Sequence, residues 1–326
     1  MRLRFEAQAG RGQSAKTAQR LARQRCASGR RERSDGTLMD VPNALRSGQA
    51  EPGRRLGYQC WCDLLFVHWR LPIAEVQCRL PPGLSVDPWQ GDAWLGLVAF
   101  RLRGVRPWWF PAVPVVSTFL EINLRTYVRC AGGASGVWFF SMDAASTAAV
   151  LIGRVRWNLN YHRAAVKFCR SGERLHWSSR RLWPKGREAH LALEAEVPPP
   201  KESRLADDAA RGRPARAGTL EHFLVERYRY YALSRSQQLV SGIVAHAPYR
   251  LLPSEVLTMD QTLTDAAGFC VSGPPAHACY CLGVASTVYP PLPTRAGSTG
   301  EDDHEPEAIE LPASASSARR LPSPAG

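Results

Sequence analysis

The chain has 326 residues, 42 Lys or Arg against 29 Asp or Glu, a net charge of +13 and 44% hydrophobic residues. That length exceeds one average domain, and the composition excludes collagen-like, coiled-coil and wholly disordered chains. Residues 1–57 hold thirteen basic and five acidic residues with almost no aromatics, and 295–326 hold six acidic and three basic residues among Pro, Ser, Ala and Gly. Both ends read as disordered, a basic head and an acidic tail. The head reads as an over-extended start with Met39 as an alternative initiator, or as a mimic of a transit peptide. All ten tryptophans fall between Trp61 and Trp183. The folding unit is therefore 58–294, long enough for one domain with a substantial core.

Only four of the 42 basic residues are lysines: Lys16, Lys167, Lys185 and Lys201. A phosphate-binding surface usually recruits lysine too, in clusters. The dispersed arginines read as compositional bias, so no nucleic-acid partner is expected. The nine cysteines are an odd number with no signal-peptide core before them, which argues against a secreted disulfide framework. Cys60/Cys62 and Cys279/Cys281 have C-x-C spacing, and on strands each pair would share a face. Structural zinc prefers wider spacing, so no metal and no cofactor is expected. No apolar run reaches the roughly 18–20 residues of a membrane span. The protein reads as soluble and cytoplasmic, without a membrane partner.

In chain order, strands are predicted over 58–69 and 93–102, with a rigid turn at Leu80-Pro81-Pro82-Gly83-Leu84 between them. A Pro-rich crossover over 107–114 leads to a strand over 121–129. The Gly-rich turn at 131–136 then makes a hairpin with 137–142. Asp143 or Ser146 caps a helix running to about Trp157. Strands follow over 164–169, 175–180 and 190–196. A helix from Thr219 places Leu220, Phe223, Leu224, Tyr228 and Tyr231 on one stripe. Strands over 238–246, 250–258 and 277–288 complete the chain. Many strands with two or three helices and no regular β-α alternation indicate a mainly β (α+β) fold. The expected architecture is a single large antiparallel or mixed β-barrel with peripheral helices, and barrels of this size often enclose a cavity.

The strand Glu121-Ile122-Asn123-Leu124-Arg125-Thr126-Tyr127-Val128 sorts its side chains by period two. Glu121, Asn123, Arg125 and Tyr127 share one face; Ile122, Leu124, Thr126 and Val128 share the other. The plain reading puts the polar face in water. The sharper one lines a cavity with it, where Arg125, paired with Glu121 when empty, would clamp a small carboxylate or carbonyl compound. Elsewhere, Asp143 reads as a helix cap and His68 as a hydrogen-bonded strand histidine. Glu221, Glu226 and Arg227 read as a solvated helix face, and Tyr228, Tyr230 and Tyr231 as packing. No hydrolase elbow, P-loop, dinucleotide fingerprint or H-E-x-x-H motif occurs.

Residues 62–69, 80–84, 119–128, 136–144 and 218–228 resemble the YqjF-like proteins, a domain-of-unknown-function family related to acetoacetate decarboxylase. The resemblance covers about 58–290 in order and implies one β-barrel domain of the acetoacetate-decarboxylase-like type. The decarboxylases place a pocket glutamate on a strand like Phe119-Leu120-Glu121-Ile122. After a Gly-Arg step, here Gly153-Arg154, they carry two adjacent lysines, the first forming a Schiff base. Those positions fall near Tyr161 and His162, so the resemblance implies a pocket without the imine-forming amine. Where nearer relatives carry an Arg-Arg-Leu-Asp-like strand, this chain reads Tyr280-Cys281-Leu282-Gly283. Two functions remain open. One is a barrel that binds or senses a small organic acid or carbonyl compound through Glu121, Asn123, Arg125, Tyr127, Tyr161 and His162. The other is an enzyme on such a compound, with Glu121, His162 or Tyr161 as catalytic candidates.

Overall fold

The first strand already shows how the molecule is layered. In β1 (Gly57–Leu71), Leu64 and Phe66 point to one side while Leu65, Val67, Trp69 and Leu71 point to the other, and the two sets enter different hydrophobic clusters. Both sides of the strand are therefore buried, which explains its near-continuous apolar run. The computed structural model describes residues 55–113, 116–198 and 212–294. The expectations for head and tail lie outside the described residues.

After β1 come α1 (Ile73–Gln77), β2 (Leu84–Val86), β3 (Ala93–Pro107), β4 (Phe119–Cys130) and β5 (Ser135–Ala144). Next are α2 (Thr147–Trp157), β6 (Tyr161–Ser171), β7 (Arg174–Trp183), β8 (His190–Glu196), β9 (Arg213–Pro214) and α3 (Leu220–Val225). The chain then forms β10 (Arg229–Leu233), β11 (Leu239–His246), β12 (Arg250–Pro253), β13 (Glu255–Gln261), α4 (Leu263–Ala266), β14 (His277–Val288) and β15 (Leu292–Pro293).

The pairings β4–β5, β5–β10, β10–β11, β11–β14, β14–β1, β1–β3 and β3–β4 close a circuit of seven strands within one 15-stranded mixed sheet. The β5–β10 link is parallel, Tyr230 opposite Val137. From β5 the sheet also continues in parallel to β6, with α2 as the crossover, and then antiparallel through β7, β8 and β13. This outer layer buries Leu175 and Trp177 of β7 and Leu191 and Leu193 of β8 against Leu97, Ile122 and Leu124 of the ring wall. Each fully buried side chain of this size contributes about 1.5–3 kcal/mol. Inside the ring, Phe66, Val98, Phe100, Val137, Leu224 and Tyr249 form the second cluster.

Three sequence expectations are corrected. The helix from Thr219 begins where expected, with the Thr219 hydroxyl accepting from His222 N, but it stops at Val225. Tyr230 and Tyr231 instead pair in β10 against Gly242 and Ser241, because their β-favouring rings fit the pleated wall. The strand predicted over 250–258 is two strands, β12 against β14 and β13 against β8. Asp143 does not cap α2. The Ser146 Oγ accepts from Ala149 N at 3.2 Å, while Asp143 grips Arg181 through a two-pronged ion pair at 2.8 and 2.9 Å.

Candidate functional site

Glu121, Asn123, Arg125 and Tyr127 are all buried, at 4%, 6%, 8% and 0% exposure, so the polar face of β4 does not meet water. The plain reading of that strand is overturned. Alternation reveals which side chains share a face, and only the closed ring reveals what that face looks onto. Glu121, Asn123 and Arg125 line a cavity of about 160 Å³ within the ring. Trp61 and Phe66 of β1, Phe100 of β3 and Phe139 of β5 supply much of its apolar wall, with Tyr228, Tyr230 and Tyr249.

Tyr161 completes the wall, its hydroxyl 3.2 Å from Glu121 Oε2. The first residue of β6 reaches the cavity because β6 pairs in parallel with β5, Tyr161 opposite Met142. His162 faces the other way, as strand neighbours do. It lies opposite Asp143, does not line the cavity, and is pushed down to about 4 by burial and then by Arg181 and Arg154. So Glu121, Asn123, Arg125 and Tyr161 converge and His162 does not.

Burial raises Glu121 to about 8, against the opposing hydrogen bonds from Tyr161 and Asn123, so its carboxyl is largely protonated at neutral pH. The expected Glu121–Arg125 ion pair is not made: Glu121 bonds Tyr161, and Arg125 Nη2 donates to the Leu224 carbonyl at 3.1 Å. Four residues along a strand span about 13 Å, too far for the two ends to pair. The Arg125 guanidinium lies over the rings of Phe66 and Tyr127, while its Nε and the Asn123 Oδ1 are buried without a hydrogen-bond partner. Unpartnered buried polar atoms are costly, and these two belong to residues lining one cavity.

Tyr127 shares the face of β4 but stands behind the cavity. Its hydroxyl donates to the Leu224 carbonyl at 2.8 Å and meets His68 Nε2 at 2.9 Å. The single hydroxyl proton is thus committed to the carbonyl, so His68 Nε2 is the donor and its Nδ1 accepts from His277 Nδ1, 3.2 Å away. Burial holds His68 well below the usual histidine range. Beside it, Arg227 donates to Asp87 at 2.8 Å from a buried position, not from a solvated helix face. Sequence reading missed Tyr249 and Trp61 as lining residues, and took Tyr228 and Tyr230 only as packing.

The wall tyrosines lie close against glycines. A Cβ at Gly153 of α2 would collide with the Tyr161 ring, and one at Gly242 of β11 with the Tyr230 ring. Arg154, next to Gly153, donates to the Tyr161 carbonyl at 2.7 Å. The Gly-Arg step therefore seats Tyr161.

Other sequence candidates stay apart from the cavity. Lys167 and Lys185 are exposed, and no described lysine lines it; Lys16 and Lys201 lie outside the described residues. The two cysteine pairs are offset in register, Cys62 opposite Gly283 and Cys281 opposite Leu64. Among the described residues no group of three or more His, Cys, Asp or Glu could hold a metal ion. None of their helices is long and apolar enough to cross a membrane.

The sequence pattern of one family, described as an uncharacterized conserved protein, matches residues 58–285. This chain belongs to the DUF2071 family. The chain is also similar to the uncharacterized protein YqjF of Bacillus subtilis strain 168, 32% identical over 210 residues that cover 64% of this chain and 81% of that protein. Among solved structures, an acetoacetate decarboxylase-like enzyme from Sphingomonas wittichii RW1 superposes with a TM-score of 0.50 at 16% identity, covering 81% of this chain and 100% of that one. The DUF2071 chain thus has the acetoacetate-decarboxylase-like fold expected of it.

Proposed function

We propose that this DUF2071 protein binds a small molecule bearing a carboxylate or carbonyl group inside its ring. The observation that carries the reading is the unpartnered buried donor Arg125 Nε, on a residue that lines the cavity with a protonated Glu121; the unpartnered Asn123 Oδ1 is an acceptor and calls for a hydroxyl or N–H on the same molecule. A guanidinium offers a charge-assisted hydrogen bond to an anionic oxygen. A neutral carboxyl is a donor where an ionised one can only accept, so Glu121 suits a carbonyl or carboxylate oxygen. The aromatic remainder of the wall suits a compact apolar body, and about 150 Å³ holds a molecule the size of benzene.

The second reading is an enzyme using Glu121 as general acid on the same class of compound. It is favoured by a carboxyl raised to about 8, close to working pH, and by Tyr161 in contact with it. Neither reading uses a Schiff base, since a phenol at position 161 is not a primary amine.

The test is a thermal-shift screen against small organic acids, keto acids and acyl compounds. A ligand at about a hundred times its Kd adds about 2.7 kcal/mol to the native state, and each kcal/mol moves the melting temperature of a domain this size by about 2–4 °C. Arg125→Met is expected to stay folded and lose the shift for acids. No shift from any compound, or an equal shift in the variant, sinks the binding reading. Turnover of a shifting ligand that disappears in Glu121→Gln would favour the enzyme.

A further inference from the structure

The segment between β3 and β4 is apolar where a soluble loop is usually polar. Trp108 and Trp109 are 61% and 67% exposed, and Phe110, Val113 and Val116 are exposed beside them. In this loop, the described residues on either side of 114–115 are held by hydrogen bonds. Trp108 N donates to the Leu56 carbonyl at 3.1 Å, Ser117 N to the Val113 carbonyl at 2.9 Å, and Val113 N to the Ser117 hydroxyl at 2.8 Å. Its rings are thus presented outward by a built scaffold.

A second apolar surface leaves the same end of the ring. The loop enters β4 at Phe119, and α2 departs just after Ala144, the residue opposite Glu121, with Ala145 N bonded to the Leu120 carbonyl. On α2, Leu151, Ile152 and Val155 are exposed. Leu102 opposite Phe119, Glu121 opposite Ala144 and Val288 opposite Gly57, all of the cavity wall, lie toward this same end.

Exposed arginines accompany these surfaces. The described loop residues and α2 carry no acidic residue, while Arg154 and Arg156 lie on α2. Arg55, Arg103 and Arg156 are exposed there. A two-fold copy of this chain docked on the patch would set the same arginines against themselves, because an isologous contact pairs a surface with its own image. An exposed aromatic cluster flanked by exposed arginines fits an anionic lipid interface, where indole rings settle at headgroup level and each basic residue gains attraction.

We propose that this end of the ring docks on the surface of an anionic bilayer, with Trp108 and Trp109 inserted at the headgroup level. The contact is peripheral and spans nothing. It is independent of the ligand reading, since it rests on residues outside the cavity.

The test floats the full chain with phosphatidylcholine vesicles, with and without phosphatidylserine. Binding is expected with phosphatidylserine, weakly or not at all without it, and to fall with added salt. Trp108→Ser/Trp109→Ser should lower the partition coefficient by more than about tenfold, from the apolar area lost. Arg103→Gln/Arg156→Gln should lower it about fivefold per charge. Quenching of wild-type tryptophan fluorescence by lipids brominated on the acyl chains reads the same insertion should the tryptophan variant fail to fold. No flotation with phosphatidylserine vesicles, or flotation unchanged in both variants, overturns the proposal. So does a dimer in sedimentation that Trp108→Ser/Trp109→Ser dissolves, because the patch would then be covered by a second copy.

Discussion

Two buried carboxylates stand on either side of the ring wall, and they have been treated differently. Asp143 of β5 faces the outer layer and is held by both prongs of Arg181 on β7. Glu121 faces the interior, bonds Tyr161, and has no cation beside it. Burial raises both, but Arg181 opposes the rise at Asp143, whereas only neutral hydrogen bonds oppose it at Glu121. The outer acid is a structural ion with its counter-charge supplied. The inner acid finds its balance in a proton. A wall built from the same strands thus carries a finished core on one side and an unfinished polar site on the other.

The contrast can be broken most forcefully on the outer side. Asp143→Ala strands the buried Arg181 guanidinium, and denaturant unfolding should register a loss of about 3–5 kcal/mol, since removing one partner of a buried pair leaves an uncompensated charge. A loss below about 1 kcal/mol would mean that Arg181 reaches water and that the two acids differ less than argued.

A smaller effect sharpens the inner side. Glu121 is raised to about 8 in the folded chain from 4.5 when unfolded. Between those values the folded state binds the extra proton, so stability is full below the unfolded value and is lost as pH rises toward the folded one. The loss attributable to Glu121 is roughly 3 kcal/mol between about pH 5 and pH 7.5. The buried His162 and His246, both pushed down to about 4, contribute the opposite slope at the acid end, so the comparison must be made against Glu121→Gln. That variant should be flatter over this range and more stable than wild type at its upper end. Parallel curves would show that Glu121 is ionised in place.

The smallest expected effect is that of Tyr161→Phe. It removes one hydrogen bond, about 1 kcal/mol, and with it an influence that lowers Glu121. The Glu121-dependent decline should then move to higher pH, and an unmoved decline would remove the phenol from the site.

Much of this was legible in the residues. The alternation of β4 sorted Glu121, Asn123 and Arg125 onto one face, and that face is the cavity's. What alternation cannot carry is the environment opposite, which arises from the parallel link of β10 to β5, far apart in sequence. Tyr161 and His162 could not both have faced the cavity, because successive residues of a strand point apart, and only the register of β6 on β5 selects between them. The stripe Leu220, Phe223, Leu224, Tyr228, Tyr231 fits a helical period, yet α3 ends at Val225. There the tertiary pairing of Tyr230 and Tyr231 overrode the local pattern. Asp143 looked like a cap because its partner, Arg181, lies across two strands.

The glycines beneath the tyrosines have a consequence for how this cavity can change. Tyr161 rests on Gly153 and Tyr230 on Gly242 with no room for a methyl group between. Neither ring can retreat, so the space offered to a guest is governed from the dry side of the wall. One carbon added at position 153 would tip the phenol inward and shrink the chamber without altering any residue that a guest could touch. The width of the chamber is therefore set partly in α2, and a chemist wishing to retune it would begin behind the tyrosine.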